Sequence, residues 1–87
     1  MSKQWYVYIL ECRDGTFYTG ITDDVPRRVE QHNSGNGAKY TRGRGPVEVR
    51  YTENVSTKSE ALKRELAIKR LKRNEKFMLI ARGLNKS

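Results

Sequence analysis

Two tyrosines that stand ten residues apart, Tyr8 and Tyr18, are the first side chains in the sequence whose type and spacing could support chemistry. A phenol can donate or accept a hydrogen bond and can exchange its proton. Gly20 follows two residues after the second tyrosine and permits another group to approach the backbone closely. Paired tyrosines on a sheet more often pack than react, so a site here requires further polar groups beside the phenols.

Arg28 and His32 are the next candidates, because they lie on the apolar face of a predicted first helix. They share i, i+3, i+4 and i+7 spacing with Val25 and Val29, which are the only apolar anchors of that helix. This face must therefore turn towards the sheet and hold the arginine and the histidine against it. A histidine on an apolar face is more often a satisfied core residue than a ligand, so both readings of His32 stay open.

Glu65 is the candidate in a predicted second helix that spans about residues 58–73 and opens with a capping box. It falls within an apolar arc of that helix, whereas Glu60 falls outside it. A carboxylate on the core side of a helix is costly unless it meets a cation or a metal ion. The residues that form the arc are Ala61, Leu62, Leu66 and Ile68.

A β-hairpin is the element that must bring the two tyrosines together. Residues 6–12 and 16–21 have β-favouring alternation and flank an Asp-Gly pair. A two-residue turn would place the tyrosines on opposite faces. A three-residue turn with Gly15 left-handed in a bulge pairs Tyr8 with Gly20 and places both phenols on one face. We expect the second register, since it allows the phenols to share a site.

The rest of the chain predicts one more strand and one more helix. Residues 47–54 predict a half-buried strand, and Asn74 and Gly83 are expected to cap and to end the last helix. The resulting order is β-β-α-β-α-α. It predicts an α+β fold in which a small three-stranded antiparallel sheet is flanked by helices, as a single domain over residues 1–87 with its core at about 5–82. The expected inward-facing positions of the third strand are Val47, Val49 and Tyr51.

The segment between the first helix and the third strand, residues 33–46, has no periodicity and is rich in glycine. A structureless segment of this length in so small a domain is uncommon and tends to be functional. Basic residues around one aromatic ring suit a loop that binds phosphates and stacks a base, although an ordinary disordered loop fits equally well. The candidate nucleic-acid-binding residues are Lys39, Tyr40, Arg42, Arg44 and, on the second helix, Lys69.

The charge of the chain is concentrated in its second half. Residues 39–87 contain fourteen Lys/Arg and five Asp/Glu, against four and five in residues 1–38, and the net charge is +8. This asymmetry indicates a polyanionic partner. One cysteine, Cys12, excludes an internal disulfide and predicts a buried structural thiol. No signal peptide or membrane-spanning run is evident, and we expect a cytoplasmic protein without membrane association.

Two tripeptides, Tyr6-Val7-Tyr8 and Tyr18-Thr19-Gly20, resemble the paired signature of the GIY-YIG nuclease family. Arg28 stands where that family has an arginine, ten residues beyond the second-motif tyrosine. His32 matches a tyrosine or histidine one turn later, and Glu65 matches the family's metal-binding glutamate. The resemblance extends over residues 6–80 and implies the same α+β fold.

The resemblance implies metal-dependent hydrolysis of a nucleic-acid phosphodiester. Glu65 is expected to hold one Mg²⁺ or Mn²⁺. Tyr18 is expected to act as general base with Tyr8 hydrogen-bonded beside it, and Arg28 to stabilise charge on the phosphate. His32 is expected either to contact the phosphate or to orient a tyrosine.

Ile21 is a departure from the pattern, because some family members have a lysine directly after the second glycine. A non-catalytic DNA- or RNA-binding module is therefore the alternative function, and a protein-interaction domain is a third. We expect DNA as the main partner, with RNA possible, and a monomer. The expected role is that of an endo- or exonuclease in DNA repair, recombination or turnover.

Overall fold

A computed structural model describes residues 4–84, which contain three strands and three α-helices. The expected β-β-α-β-α-α order and the α+β class are confirmed. No helix within this described part is long and apolar enough to cross a membrane. The expectation that the chain has no signal peptide rests partly on residues 1–3, which lie outside the described residues. The bounds are Trp5–Glu11 (β1), Phe17–Thr22 (β2), Val25–Asn33 (α1), Glu48–Val55 (β3), Lys58–Lys69 (α2) and Arg73–Leu84 (α3).

The hairpin has the register that brings the tyrosines together. β1 lies between β2 and β3 and is antiparallel to both. Tyr8 pairs with Gly20, and the Cys12 N–H donates to the Thr16 carbonyl at 2.8 Å. Gly15 has φ of 83°, the left-handed conformation that a three-residue bulged turn requires. The predicted three-residue turn is therefore confirmed.

Both faces of β1 are buried, which explains its almost continuous run of apolar and aromatic residues. One face, which includes Val7 and Ile9, packs against α2 and α3. The other, which includes Tyr8 and Leu10, packs against α1 and the segment before β3. Cys12 is buried and free on this second face, as predicted. The site candidates on α1 and those on α2 consequently approach the hairpin from different sides.

The prediction that Val49 on β3 faces inward is wrong. The register with β1 shifts at this point, because Leu10 pairs with Val49 while the adjacent Ile9 pairs with Tyr51. Arg50 is thus an extra residue in a β-bulge, and the residues on its two sides face opposite ways. Tyr51 packs against the core on the Ile9 side, whereas Val49 remains exposed.

The predicted apolar arc of α2 is also partly wrong. Ala61 and Ile68 are fully buried, but Leu62 and Leu66 are 47% and 52% exposed. A helix can press only a narrow stripe against a sheet, and residues seven apart define that stripe. Beside this stripe, Arg64 donates to the two carboxylate oxygens of Glu53 on β3 at 2.6 and 3.0 Å, a partly exposed pair that is compatible with the same rotation.

The boundary between the last two helices differs from the prediction. α2 ends at Lys69 rather than about Arg73, and α3 begins at Arg73. The start of α3 is capped because Glu75 accepts the backbone N–H of Lys72 at 2.8 Å. Asn74 therefore lies inside the first turn and is not the cap, and Gly83 lies inside the helix. A Cβ at Gly83 would be 3.0 Å from the Tyr51 ring, so this glycine lets α3 pack closely on β3. The loose tail expected after Leu84 lies outside the described residues.

The loop between α1 and β3 is more ordered than its composition suggests. It contains a 3-10 turn over Lys39–Thr41, and Thr41 is buried. The Arg44 carbonyl accepts the N–H of Arg13 at 2.8 Å, which ties the loop to the hairpin turn. The expectation of a structureless segment is therefore wrong.

A pair of substitutions on α2 tests the observed rotation of this helix. Ile68→Ala should lower the free energy of unfolding by about 2–5 kcal/mol, because it leaves a cavity in the core. Leu66→Ala should change it by less than about 1 kcal/mol, because this side chain is half exposed. Urea unfolding followed by circular dichroism measures both. Similar losses in the two variants would contradict the observed helix orientation.

Candidate active site

The site is built around the phenol of Tyr8, which lies across Gly20 on the neighbouring strand. A Cβ at Gly20 would be 2.5 Å from the Tyr8 hydroxyl and 3.1 Å from the Tyr18 ring. Any side chain at position 20 would therefore displace the phenol. The rings of the two tyrosines lie side by side with centroids 6.3 Å apart. The glycine thus allows both phenols to occupy one face of the hairpin.

Helix α1 brings His32 to Tyr8. The helix begins at Val25 because Asp24 caps it by accepting the N–H of Arg27 at 3.2 Å. Its last turn places Nε2 of His32 3.0 Å from the Tyr8 hydroxyl. His32 is buried with 2% exposure, so it does not reach a bound phosphate. Of the two expected roles for this residue, the geometry supports orientation of a tyrosine.

The other side of the imidazole is closed by the loop that follows α1. Nδ1 of His32 lies 2.8 Å from the Thr41 hydroxyl and 3.4 Å from the backbone nitrogen of Ala38. A Cβ at Gly37 would be 2.7 Å from the His32 Cα, so only glycine lets the loop fold over the ring. Burial, and secondarily the positive charge of Arg28, lowers the pKa of His32 to about 4. The imidazole is therefore neutral at physiological pH.

Arg28 lies one turn before His32 and faces the same phenol. Burial raises the pKa of Tyr8, and hydrogen bonding to Arg28 opposes this rise. The guanidinium is held by Gln31, whose side-chain oxygen accepts from Nη1 at 2.9 Å. A cleft of about 250 Å³ opens beside α1, where Arg28 and Gln31 are joined by Arg27. Asp23 and Asp24 line the same cleft, so its walls carry both signs of charge, with the guanidiniums on the α1 side.

Glu65 approaches the same phenol from α2. Its side chain is 19% exposed and forms an ion pair with Lys69, with 3.5 Å between Nζ and the carboxylate. Tyr18 and Glu65 both add to the rise in the pKa of Tyr8, which places the two groups within electrostatic reach of it. Glu60, by contrast, is exposed, as the sequence predicts.

The donor set at Glu65 fits a hard cation that keeps most of its water. Within residues 4–84, no group of three or more His, Cys, Asp or Glu could hold a metal ion. A single half-buried carboxylate that leaves the other positions to water and phosphate oxygens is a usual arrangement for Mg²⁺. Mn²⁺ also accepts such oxygen ligands. A structural zinc site would require more protein ligands than this.

The basic loop contributes an aromatic ring and an arginine next to Tyr18. The Tyr40 ring stacks on Tyr18 with centroids 5.9 Å apart and 26° between planes. The Arg44 guanidinium lies 4.4 Å from the Tyr40 centroid and is paired with Asp14 in the hairpin turn. Lys39 and Arg42 are exposed on the same loop. Of the five predicted nucleic-acid-binding residues, Tyr40 thus contacts Tyr18, Arg44 contacts Tyr40, and Lys69 pairs with Glu65 on α2. The other two, Lys39 and Arg42, form an outer rim.

Sequence reasoning missed the residues that hold these candidates in place. Thr41 forms a hydrogen bond with the imidazole of His32, and Gln31 accepts a hydrogen bond from Arg28. Asn33 accepts the backbone N–H of Val47 at 2.7 Å and so ties the end of α1 to the start of β3. The Gln-His-Asn sequence was a signal for two of them, because three consecutive polar residues at a helix end have side chains free for hydrogen bonds. No periodicity singles out Thr41.

The lowered pKa of His32 gives a pH dependence that can be measured. His32 is the only histidine of the chain, so one imidazole titration curve reports on it. We expect a midpoint at about 4 in the folded protein. Between the unfolded value of about 6.5 and pH 4 the unfolded chain binds the extra proton, so stability should fall as the pH is lowered through this range. Imidazole NMR shifts and urea unfolding at several pH values test this, and a midpoint near 6.5 would contradict the burial of the ring.

Similarity to known proteins extends over most of the chain. A family model described as the GIY-YIG catalytic domain matches residues 4–78. The chain is 61% identical over 74 residues to a UPF0213 protein of Halobacterium salinarum, a match that covers 85% of this chain and 96% of the relative. It is 54% identical over 80 residues to a UPF0213 protein of Oceanobacillus iheyensis, covering 92% of this chain and 93% of the relative.

Two solved structures are similar as well. A solution NMR structure of a protein from E. faecalis is 43% identical, with a TM-score of 0.63, and the match covers 99% of this chain and 93% of that one. A solution NMR structure of a UPF0213 protein from Bacillus halodurans is 51% identical, with a TM-score of 0.58, over 90% of this chain and 83% of that one. The resemblance noted in the two tyrosine tripeptides thus extends to the whole fold, and the chain belongs to the GIY-YIG nuclease superfamily.

Proposed function

We propose that this protein is a divalent-metal-dependent nuclease that hydrolyses phosphodiester bonds of DNA, with RNA as a further possible substrate. The observation that carries the proposal is the convergence on the Tyr8 phenol. His32 bonds to it at 3.0 Å, and Tyr18, Arg28 and Glu65 all lie close enough to shift its pKa. A proton-exchanging phenol, a phosphate-binding cation and a metal-binding carboxylate are the groups that phosphodiester hydrolysis requires.

Glu65 is the proposed ligand of one Mg²⁺ or Mn²⁺. The bound ion would polarise the phosphate and stabilise the leaving oxygen. The carboxylate is oriented by its position on α2 and by its ion pair with Lys69. Because this lysine is half exposed, its side chain can turn outward to a neighbouring phosphate when the carboxylate takes a cation.

Arg28 is the proposed phosphate-binding residue. Its guanidinium has donors only, and the bond to Gln31 fixes one of them. Arg28 also lowers the pKa of Tyr8 and lines the adjoining cleft, where charge would develop on the phosphate. A lysine would supply the charge but not the forked donor geometry.

Tyr18 is the proposed general base. Tyr8 is less suited to this role, because burial raises its pKa and His32 occupies its hydroxyl. The expected hydrogen bond between the two phenols is replaced by the one to His32. An ordinary phenol has a pKa of about 10. Loss of the Tyr18 proton would therefore depend on two nearby positive charges, the guanidinium of Arg28 and the metal ion that Glu65 would hold.

A binding-only module is the second candidate, favoured by one observation. Ile21 pairs with Val7 and lines the cleft beside Arg28, and its aliphatic side chain supplies no cation there. The basic second half of the chain would bind nucleic acid even without cleavage. The same experiment decides between the two candidates.

Glu65→Gln tests the proposed function. We expect this variant to lose cleavage of labelled DNA in Mg²⁺ or Mn²⁺ by roughly 100-fold or more, because the amide removes the charge that holds the metal. Substrate binding in a gel-shift assay should remain. Glu60→Gln is the matched control, since Glu60 lies on the same helix but is exposed, and it should cleave like the parent protein.

Two results would contradict the proposal. Full cleavage by Glu65→Gln would remove the metal assignment. A gel shift by the parent protein without any product, across varied DNA and RNA structures and both metals, would instead establish the binding-only function.

A further inference from the structure

His32 is the centre of a buried chain of hydrogen bonds that connects the loop to the hairpin. Its Nδ1 lies 2.8 Å from the Thr41 hydroxyl, and its Nε2 lies 3.0 Å from the Tyr8 hydroxyl. All three side chains are at most 2% exposed. A neutral imidazole has one N–H and one lone pair, so these two contacts must have opposite directions.

The Thr41 hydroxyl decides the direction. Besides His32, it lies 2.9 Å from the carbonyl oxygen of Ala38, which can only accept. A hydroxyl has one proton, so the O–H of Thr41 donates to this carbonyl and its oxygen accepts from Nδ1–H of His32. In the opposite tautomer Nδ1 would accept the backbone N–H of Ala38 at 3.4 Å, a bond that the Nδ1–H tautomer gives up. The opposite tautomer would, however, leave the Thr41 hydroxyl oxygen and the Ala38 carbonyl oxygen, which also accepts the Thr41 N–H, facing each other at 2.9 Å without a proton between them. We give more weight to the contact between the two oxygens at 2.9 Å than to the N–H contact at 3.4 Å, because hydrogen bonds weaken with distance.

The same order of hydrogen-bond donors and acceptors extends through Tyr8 to Arg28. With its proton on Nδ1, His32 accepts the O–H of Tyr8 at Nε2. The phenol oxygen then presents only lone pairs to the site, and the Arg28 guanidinium, which is close enough to lower the pKa of Tyr8, can donate to one of them. A guanidinium has donors only, so this arrangement satisfies both groups. In the opposite tautomer Nε2–H would donate to Tyr8, and the phenol proton would be left to face the arginine.

We propose that Thr41 is a positioning residue of the nuclease site, which holds His32 in the Nδ1–H tautomer so that Tyr8 turns its proton inward and offers its oxygen to Arg28. The effect on cleavage rests on the proposed function, whereas the tautomer does not. Thr41 acts through two other residues and touches neither phosphate nor metal. The role assigned to the loop is therefore to set the hydrogen-bond polarity of the site as well as to bind nucleic acid.

The packing of the loop explains how one threonine can hold this arrangement. Thr41 ends the 3-10 turn, and its neighbour Tyr40 stacks on Tyr18. Gly37 itself lies directly against the His32 ring, because a Cβ at this position would clash with Nδ1. The hydroxyl of Thr41 is consequently the group that meets Nδ1 at short range.

The ring nitrogens of the single histidine test the proposal without any need for activity. In ¹⁵N-labelled protein at neutral pH, we expect Nδ1 to be protonated and Nε2 to be bare. Thr41→Val keeps the shape of the side chain but removes the hydroxyl, and it should shift the populations towards Nε2–H. Thr41→Ser should restore the parent tautomer. Thr52→Val, at an exposed threonine of β3, is the matched control and should leave the ring signals unchanged.

Cleavage kinetics provide the second readout. We expect Thr41→Val to lower kcat by about tenfold with a smaller change in KM, because Arg28 would be misaligned where charge develops. Thr41→Ser should recover most of this loss. A merely structural role of Thr41 would change stability but not the tautomer.

An Nε2–H tautomer in the parent protein would overturn the proposal, and so would an unchanged tautomer in Thr41→Val. If Thr41→Val fails to fold, the parent protein and Thr41→Ser still decide, since both must show protonated Nδ1. If the parent protein cleaves no nucleic acid, the proposed function fails, while the ring nitrogens still confirm or refute the role of Thr41 in fixing the tautomer.

Discussion

The hydrogen bond between Tyr8 and His32 is the contact on which the arrangement of the site depends. It joins the central strand to the first helix at 3.0 Å in a place closed to solvent. A buried polar group that loses its partner costs about 1–3 kcal/mol, so this pair fixes how α1 lies on the hairpin. Arg28, on the same face of that helix, is positioned by the same contact. The loop then closes over the histidine, which brings Tyr40 to Tyr18.

Charge is distributed around this centre in a way that suits a polyanionic substrate. The protein has a net charge of +8, yet the histidine at the centre is kept neutral by burial and by Arg28. A neutral imidazole can both donate and accept, whereas an imidazolium could not accept the proton of Tyr8. Glu65 contributes a negative charge on the far side of the phenol, partly balanced by Lys69. In the proposed function, the cations of the outer rim would attract the nucleic-acid backbone, and the inner groups would act on one phosphate.

The elements and the main site residues could be predicted because each has a local signal. The Asp-Gly pair and the strand alternation predict the hairpin, and helical spacing places Arg28 and His32 on one face. The register of the hairpin follows only from a choice between two turn lengths, of which one lets the two phenols share a face. The carboxylate of Glu65 stands out because it interrupts an apolar arc. Placement of these residues in a catalytic site is suggested further by the two tyrosine tripeptides and by the family match, whereas their catalytic roles remain proposals.

The remaining features depend on contacts between distant segments, which no local pattern encodes. Leu62 and Leu66 are exposed because α2 packs on the sheet through Ala61 and Ile68, and Val49 is exposed because of a bulge in β3. Thr41 is an ordinary threonine in a glycine-rich segment until the loop folds onto His32.

Paramagnetic relaxation by Mn²⁺ tests the central claim most directly, namely that these residues surround one metal site. In the parent protein, low concentrations of Mn²⁺ should selectively broaden the ring signals of Tyr8 and His32, and Glu65→Gln should abolish this effect. Broadening confined to other carboxylates, such as Asp23 and Asp24, or equal broadening in the variant, would contradict the account.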